Sequence, residues 1–224
     1  MSKEKNLRVV IIDFQLGNMF SVQHTCSKVG LNSVVTSDKL ALKNADAVIF
    51  PGVGSFGAAM ENLNRLDLVS PIVDFIHSGR PFMGVCLGMQ LLFRESEEFG
   101  SHRGLGIFDG RVARFGNESS DGQRVKVPQI GWNEIFKADG EKATGWVDSP
   151  LRDVAEGTHM YFVHSFYVAP EDNNVTLSKT NYAGTEFCSS IISGNVFATQ
   201  FHPEKSAEVG KGIYRNWAKS LLRE

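Results

Sequence analysis

Cysteine is scarce in this chain. Cys26, Cys86 and Cys188 are its only three, odd in number and far apart. That excludes a disulfide framework of the secreted kind and makes a reducing, cytoplasmic setting the expectation. Charge of one sign is missing too: 23 basic against 25 acidic side chains give a formal charge of −2. Such a balance offers no electrostatic footprint for nucleic acid or an anionic membrane. Long hydrophobic runs are absent. The longest, PFMGVCLGMQLLF, falls well short of a membrane span, and the start MSKEKNLRVVIID has neither the length nor the cleavage site of a signal segment. Zinc-type spacing is lacking as well, because no two cysteines form a CxxC pair and His202 has no paired ligand nearby.

What is present is alternation. RVVIID (8–13), NSVVTS, ADAVIF and PFMGVC are short apolar runs that read as buried strands. Between them lie helical patterns: Asn18 to Val29 closed by Gly30, AAMENLNRL, and PIVDFIHS closed by Gly79. Strands alternating with helices predict right-handed crossovers and a parallel sheet. After about residue 104 the texture changes to short strands punctuated by Gly, Asn and Asp, as in hairpins: GLGIFDGRVARF, WNEIFKA, THMYFVHSFYV, NVTLSKT and GTEFCSSIIS, with SGN as a tight turn into VFATQF. The segment SAEVGKGIYRNWAKSLL predicts a last helix capped by Ser206, with Val209, Ile213, Trp217 and Leu221 along one face. At 224 residues, with no repeat or linker, the expectation is one α/β domain spanning 1–224 with a mixed sheet.

Two places suggest chemistry. IFPGVGSFG (49–57) contains a G-x-G-x-x-G between a strand and a helix, the local setting of a dinucleotide fingerprint. The fit is poor, however. The fingerprint follows the first strand of its unit and has an acid about 20 residues on, at the end of the next strand. Here the loop follows the third strand, and Asp74 at that offset sits in a helical pattern. The second place is Gly84-Val85-Cys86-Leu87-Gly88, where the strand PFMGV meets the pattern LGMQLLF. It has the spacing of a nucleophile elbow, and a helix N-terminus there favours thiolate. Taken alone, Cys86 is equally a small buried residue in a turn. A base for it stands out in Phe201-His202-Pro203-Glu204. His202 is placed to take a thiol proton, and Glu204 to hold the other ring nitrogen. Among the other histidines His24 and His77 lie in helical patterns, His102 in a loop and His159 at a strand start; His164 is less easily dismissed.

GVCLGMQLLF together with QFHPEKS resembles the class I glutamine amidotransferases. IIDFQLGNMFSV, PGVGSF, VPQIGWN and YFVHSFYV narrow the resemblance to the glutaminase subunits of imidazole glycerol phosphate synthase, from about residue 8 to the last helix. The resemblance implies a flavodoxin-like α/β fold, with a mostly parallel central sheet flanked by helices and added antiparallel strands in the C-terminal half. It implies hydrolysis of L-glutamine by Cys86, His202 and Glu204 through a cysteinyl thioester, with no cofactor and no metal. The N–H of Leu87 and a peptide of the PGVG loop, at Val53 or Gly54, become candidates for an oxyanion hole; glycine lets such a peptide reorient and approach closely. Substrate contacts carry over to Gly52, Gln90, His164, Ser165 and Phe166.

The resemblance also implies a partner. Amines near neutral pH are mostly protonated, so ammonia released into water is wasted as a nucleophile. The implied acceptor is a (β/α)8-barrel cyclase subunit docked as a heterodimer near Asn18, Pro128 to Trp132 and Phe166. This sequence has Gln129, Phe14 and Phe166 where relatives commonly have His, Tyr and Tyr. These departures leave open an amidotransferase of N-acetylated sugars as the acceptor. Readings of another class are a dinucleotide-dependent oxidoreductase, indifferent to Cys86→Ala, and a binding module in which Cys86 is inert.

Overall fold

A computed structural model describes residues 7–118, 122–138 and 146–221. The first half runs β1 (Val9–Ile12), α1 (Met19–Lys28), β2 (Ser33–Thr36), α2 (Lys39–Lys43), β3 (Ala47–Gly52), α3 (Phe56–Arg65), α4 (Val69–His77), β4 (Phe82–Cys86) and α5 (Leu87–Gln90). The chain continues through β5 (Phe93–Ser96), β6 (His102–Arg103), β7 (Phe108–Arg114), β8 (Gln129–Lys137), β9 (Thr158–His164) and β10 (Phe166–Pro170). It closes with β11 (Thr176–Tyr182), β12 (Thr185–Ser193), β13 (Val196–Thr199) and α6 (Ala207–Ser220).

Among the described residues these strands form one 13-stranded sheet, ordered β2-β1-β3-β4-β13-β12-β10-β7-β5-β6. From β2 to β13 all neighbours are parallel. The next three pairings, β13 with β12, β12 with β10 and β10 with β7, are antiparallel. A side branch leaves β12 through β11 to the hairpin β8–β9. The expected flavodoxin-like arrangement with added antiparallel strands is therefore present.

Strand periodicity explains why the parallel strands are apolar throughout. Val10, Ile12, Val48 and Phe50 point into one cluster, with α3 and α4. Val9, Ile11, Ala47 and Ile49 point into the opposite cluster, with α1 and α6. Neither face meets water, so no polar alternation is tolerated. No helix among the described residues is long and apolar enough to cross a membrane.

Four local expectations are corrected. The helix begun by LGMQLLF stops at Gln90, because Phe93 turns back into β5 and pairs with Phe108. The run THMYFVHSFYV is two strands that break at Ser165, β9 in the side hairpin and β10 in the main sheet. Val209 is exposed, and the buried face of α6 is Gly210, Ile213, Tyr214 and Trp217. Ser206 makes no side-chain cap. Its hydroxyl instead donates to His202 O at 2.8 Å and accepts from Tyr161 N–H at 3.0 Å, tying β9 to the turn after β13.

Candidate active site

Three parallel neighbours deliver the site at their carboxyl ends, where open α/β sheets place their ligands. β3 ends at Gly52 and β4 at Cys86, while His202 follows shortly after β13. Cys86 holds φ +55° and ψ −110°, a left-handed conformation that costs a non-glycine residue of order 1–3 kcal/mol and is found mainly at functional turns. The neighbouring glycines make that turn possible. A Cβ on Gly84 would lie 2.9 Å from Ala198 Cβ, and one on Gly88 only 1.7 Å from Phe50 O.

His202 and Glu204 form a buried pair. Nδ1 stands 2.8 Å from Glu204 Oε1, and the two side chains are only 3% and 2% exposed. With the carboxylate accepting from Nδ1–H, Nε2 is the free ring nitrogen, and it has no hydrogen-bond partner. Burial by itself pushes the His202 pKa down. The charge and proximity of Cys86, and then Glu204, more than offset this and raise it from 6.5 to about 10. Because the folded value is raised, the stability it contributes is complete below about 6.5 and lost as pH rises through about 10.

Beside the sulfur is an amide relay. Gln200 Nε2 donates to Cys86 Sγ at 3.6 Å, and Gln90 Nε2 donates to Gln200 Oε1 at 3.0 Å and to Phe166 O at 2.9 Å. Gln90, expected to touch substrate, thus commits its amide nitrogen to the protein, although it still lines the cavity. That cavity, about 390 Å³, opens over Cys86. Val53, Gly54, Leu87, His164, Ser165 and Phe166 line it as well, so both halves of the expected oxyanion hole share one space with the thiol. Gly54 has φ +104°, a conformation natural only to glycine. Gly52 is not in the lining. A Cβ there would sit 2.8 Å from Phe14 Cζ and 3.1 Å from Leu87 Cβ.

Sequence reasoning missed three residues. Glu98 lines the cavity, and its Oε2 accepts from Phe56 N–H at 2.6 Å. It sits among other carboxylates in RESEEFG, where no spacing marks it out. It also disposes of the dinucleotide reading. The N-terminus of α3, where a pyrophosphate would bind, is occupied by this carboxylate, and a ligand phosphate there would meet like charge. Lys205 lines the cavity with its ammonium 5.7 Å over the Tyr161 ring. Gln200 was legible in principle, as a polar residue at the end of the buried run VFATQF.

His164 serves the cavity wall. Its Nδ1–H donates to Phe166 O at 2.8 Å, and the rings of Phe115, Phe162 and Phe187 enclose it at 5.2, 5.6 and 5.3 Å. Burial pushes its pKa down from 6.5 to about 4. A depressed folded value means the unfolded chain binds the proton first. Stability from a neutral His164 is therefore complete above about 6.5 and is lost as pH falls toward about 4. Urea unfolding across that window should show a loss of about 3 kcal/mol that His164→Gln does not share. An equal acid slope in both proteins would refute it.

The three departures from the resemblance are all buried: Phe14, Gln129 and Phe166. Asn18 caps α1, accepting from Ser21 N–H at 3.3 Å, while Ile130 and Trp132 of β8 project to the surface.

The sequence pattern described as "Glutamine amidotransferase class-I" matches residues 10–220. The chain belongs to that family. It is 46% identical over 210 residues to the imidazole glycerol phosphate synthase subunit HisH of Syntrophotalea carbinolica, covering 93% of this chain and 98% of that one. It is also 46% identical to the subunit of that name from Aquifex aeolicus, covering 95% and 97%. It belongs with these HisH proteins within the amidotransferases. Solved structures share the fold at low identity. A glutamine amidotransferase matches with TM-score 0.69 and 16% identity over 96% of this chain and 99% of that one. PurLQS from Thermotoga maritima matches with TM-score 0.67 and 19% identity over 96% and 99%.

Proposed function

We propose that this amidotransferase hydrolyses L-glutamine with Cys86, His202 and Glu204 and passes the ammonia to a (β/α)8-barrel cyclase subunit of histidine biosynthesis, as a cytoplasmic heterodimer. The observation that carries the reading is the strained thiol of Cys86 in the cavity wall, acting on the buried imidazole of His202, whose Nδ1 is held by a buried carboxylate.

The chemistry follows from that geometry. Cys86 Sγ attacks the side-chain amide carbon of glutamine, its proton carried by His202 Nε2. The oxyanion is met by the N–H of Leu87 and by a peptide N–H at Val53 or Gly54. His202 returns the proton to the departing nitrogen, so that ammonia leaves and a glutamyl thioester remains. Water, deprotonated by His202, then releases glutamate and restores the thiol. Among the described residues Glu98 is the one acidic group in the lining, suited to the α-ammonium of glutamine. The backbone of His164 to Phe166 is suited to hold its α-carboxylate end.

For the partner, the reading rests on relatives named as synthase subunits and on the exposed Val53, Ile130 and Trp132 close to the cavity. Phe14, Gln129 and Phe166 are buried beneath that outer surface, and none of them by itself favours a sugar amidotransferase. Glutamate release should be measured alone and with a histidine-pathway cyclase plus its ribulosyl substrate. Stimulation of about tenfold or more is expected, equivalent to about 1.4 kcal/mol of barrel-dependent barrier lowering. Glutaminase activity indifferent to the cyclase would remove the histidine-pathway partner and favour the sugar amidotransferase.

A further inference from the structure

Two polar atoms next to the triad are buried without a hydrogen-bond partner: Glu204 Oε2 and Tyr214 Oη. They are chemical complements, since an ionised carboxylate oxygen only accepts and a phenol has one proton to donate. Leaving both unmatched in the interior would be costly on each side.

The backbone brings together the segments that carry them. A Cβ on Gly210 would lie 1.8 Å from Pro203 O, so α6 rests directly on the turn that carries Glu204. Tyr214 is one helical turn further on, on the face that Gly210 presents. The rest of that face is apolar, with Ile213 and Trp217 fully enclosed. The other buried polar side chain of α6, Asn216, is already engaged with Pro150 O and Asp153. A phenylalanine would pack as well as Tyr214 in such surroundings, so the hydroxyl calls for a reason of its own. Burial first, then the charge of Glu204, hold the phenol well above its ordinary value, which keeps it a donor.

We infer that Tyr214 is a positioning residue for the triad: its hydroxyl donates, through one bridging water, to Glu204 Oε2. That leaves Oε1 fixed toward His202 Nδ1. The ionisable groups facing Glu204 are His202 on its own segment, Tyr214 from α6 and Cys26 from α1. Tyr161 of β9 packs against the adjacent Lys205, and Cys86 acts on His202 from the other side of the pair. Cys26 is pushed up to about 12, chiefly by burial, and so adds no charge near neutral pH. The inference rests on the triad assignment above.

The test is the rate at which a diazoketone analogue of glutamine labels Cys86, followed against pH. Tyr214→Phe removes one oxygen and keeps the ring. Its maximal labelling rate should fall about tenfold with the half-saturating concentration unchanged, and its acid limb should move up by about one pH unit. The sign follows from the lost donor, because a carboxylate with less support for its charged form takes up a proton at higher pH. Ile213→Val, a packing change on the same helix, should leave the acid limb in place. A wild-type acid limb in Tyr214→Phe, with labelling still on Cys86, overturns the role of Tyr214 and spares the triad. Labelling that survives Cys86→Ala overturns both.

Discussion

Cys86→Ala is expected to lose glutamate release by about 10⁴-fold or more, the usual scale for removing a nucleophile from a unit that works together. Neither of the other two cysteines is placed to substitute for it. Burial, first among the causes, pushes Cys26 and Cys188 up to about 12, so both remain thiols at neutral pH. The fold should hardly notice, because alanine keeps the Cβ that the turn already accommodates and the change in stability should stay within about 1 kcal/mol. His202→Ala should show a similar loss, and the double variant no more than either alone. Activity within tenfold of the parent in Cys86→Ala, in a protein with an unchanged unfolding midpoint, would end the triad assignment.

Gly88→Ala is expected to strike the fold itself. The added methyl would lie 1.7 Å from Phe50 O and 2.8 Å from Phe50 C, and neither atom is free to retreat. Phe50 pairs with Gly84 across β3 and β4, and its ring is wedged between Phe14 and Phe82 at centroid distances of 5.3 and 5.9 Å. Either the elbow or the central strand must move, at a cost of about 3 kcal/mol or more. Any molecule that does fold carries a displaced Cys86, and a misplacement of about 1 Å at a reacting group costs about 10²-fold in rate. Thermal unfolding is the measurement, with Gly212→Ala as the contrast, since nothing lies within 4 Å of a Cβ there. Equal midpoints for the two variants would show that the elbow tolerates a side chain after all.

The contrast between these glycines shows what was legible in the sequence. β1, β3 and β4 were plain, because strands buried on both faces allow nothing but apolar residues, and Gly84-Val85-Cys86-Leu87-Gly88 carried its turn in its own spacing. His202 and Glu204 were readable for the same reason, as neighbours in sequence that are also neighbours in space. What escaped depends on residues far along the chain. α5 ends early because Phe93 is claimed by β7. Ser206 abandons its helix for Tyr161 of β9, Glu98 caps α3 from another loop, and Gln200 reaches across to Gln90. Each is a tertiary contact overruling a local preference, and no window along the sequence contains both partners.

The position of β13 also has a meaning in time. This strand inserts beside β4, although Gln200 at its end is 114 residues from the Cys86 it touches. Contacts of such sequence separation form late, because a long loop must close before they give any return. Until β13 docks, a partly folded chain can hold the elbow turn but has neither base nor amide relay beside the sulfur. On the proposed mechanism, a thiol without that base stays unactivated until the last parallel strand is in place. On that reading assembly order works as a safety catch, since no ammonia-releasing centre would exist before the walls of its cavity stand.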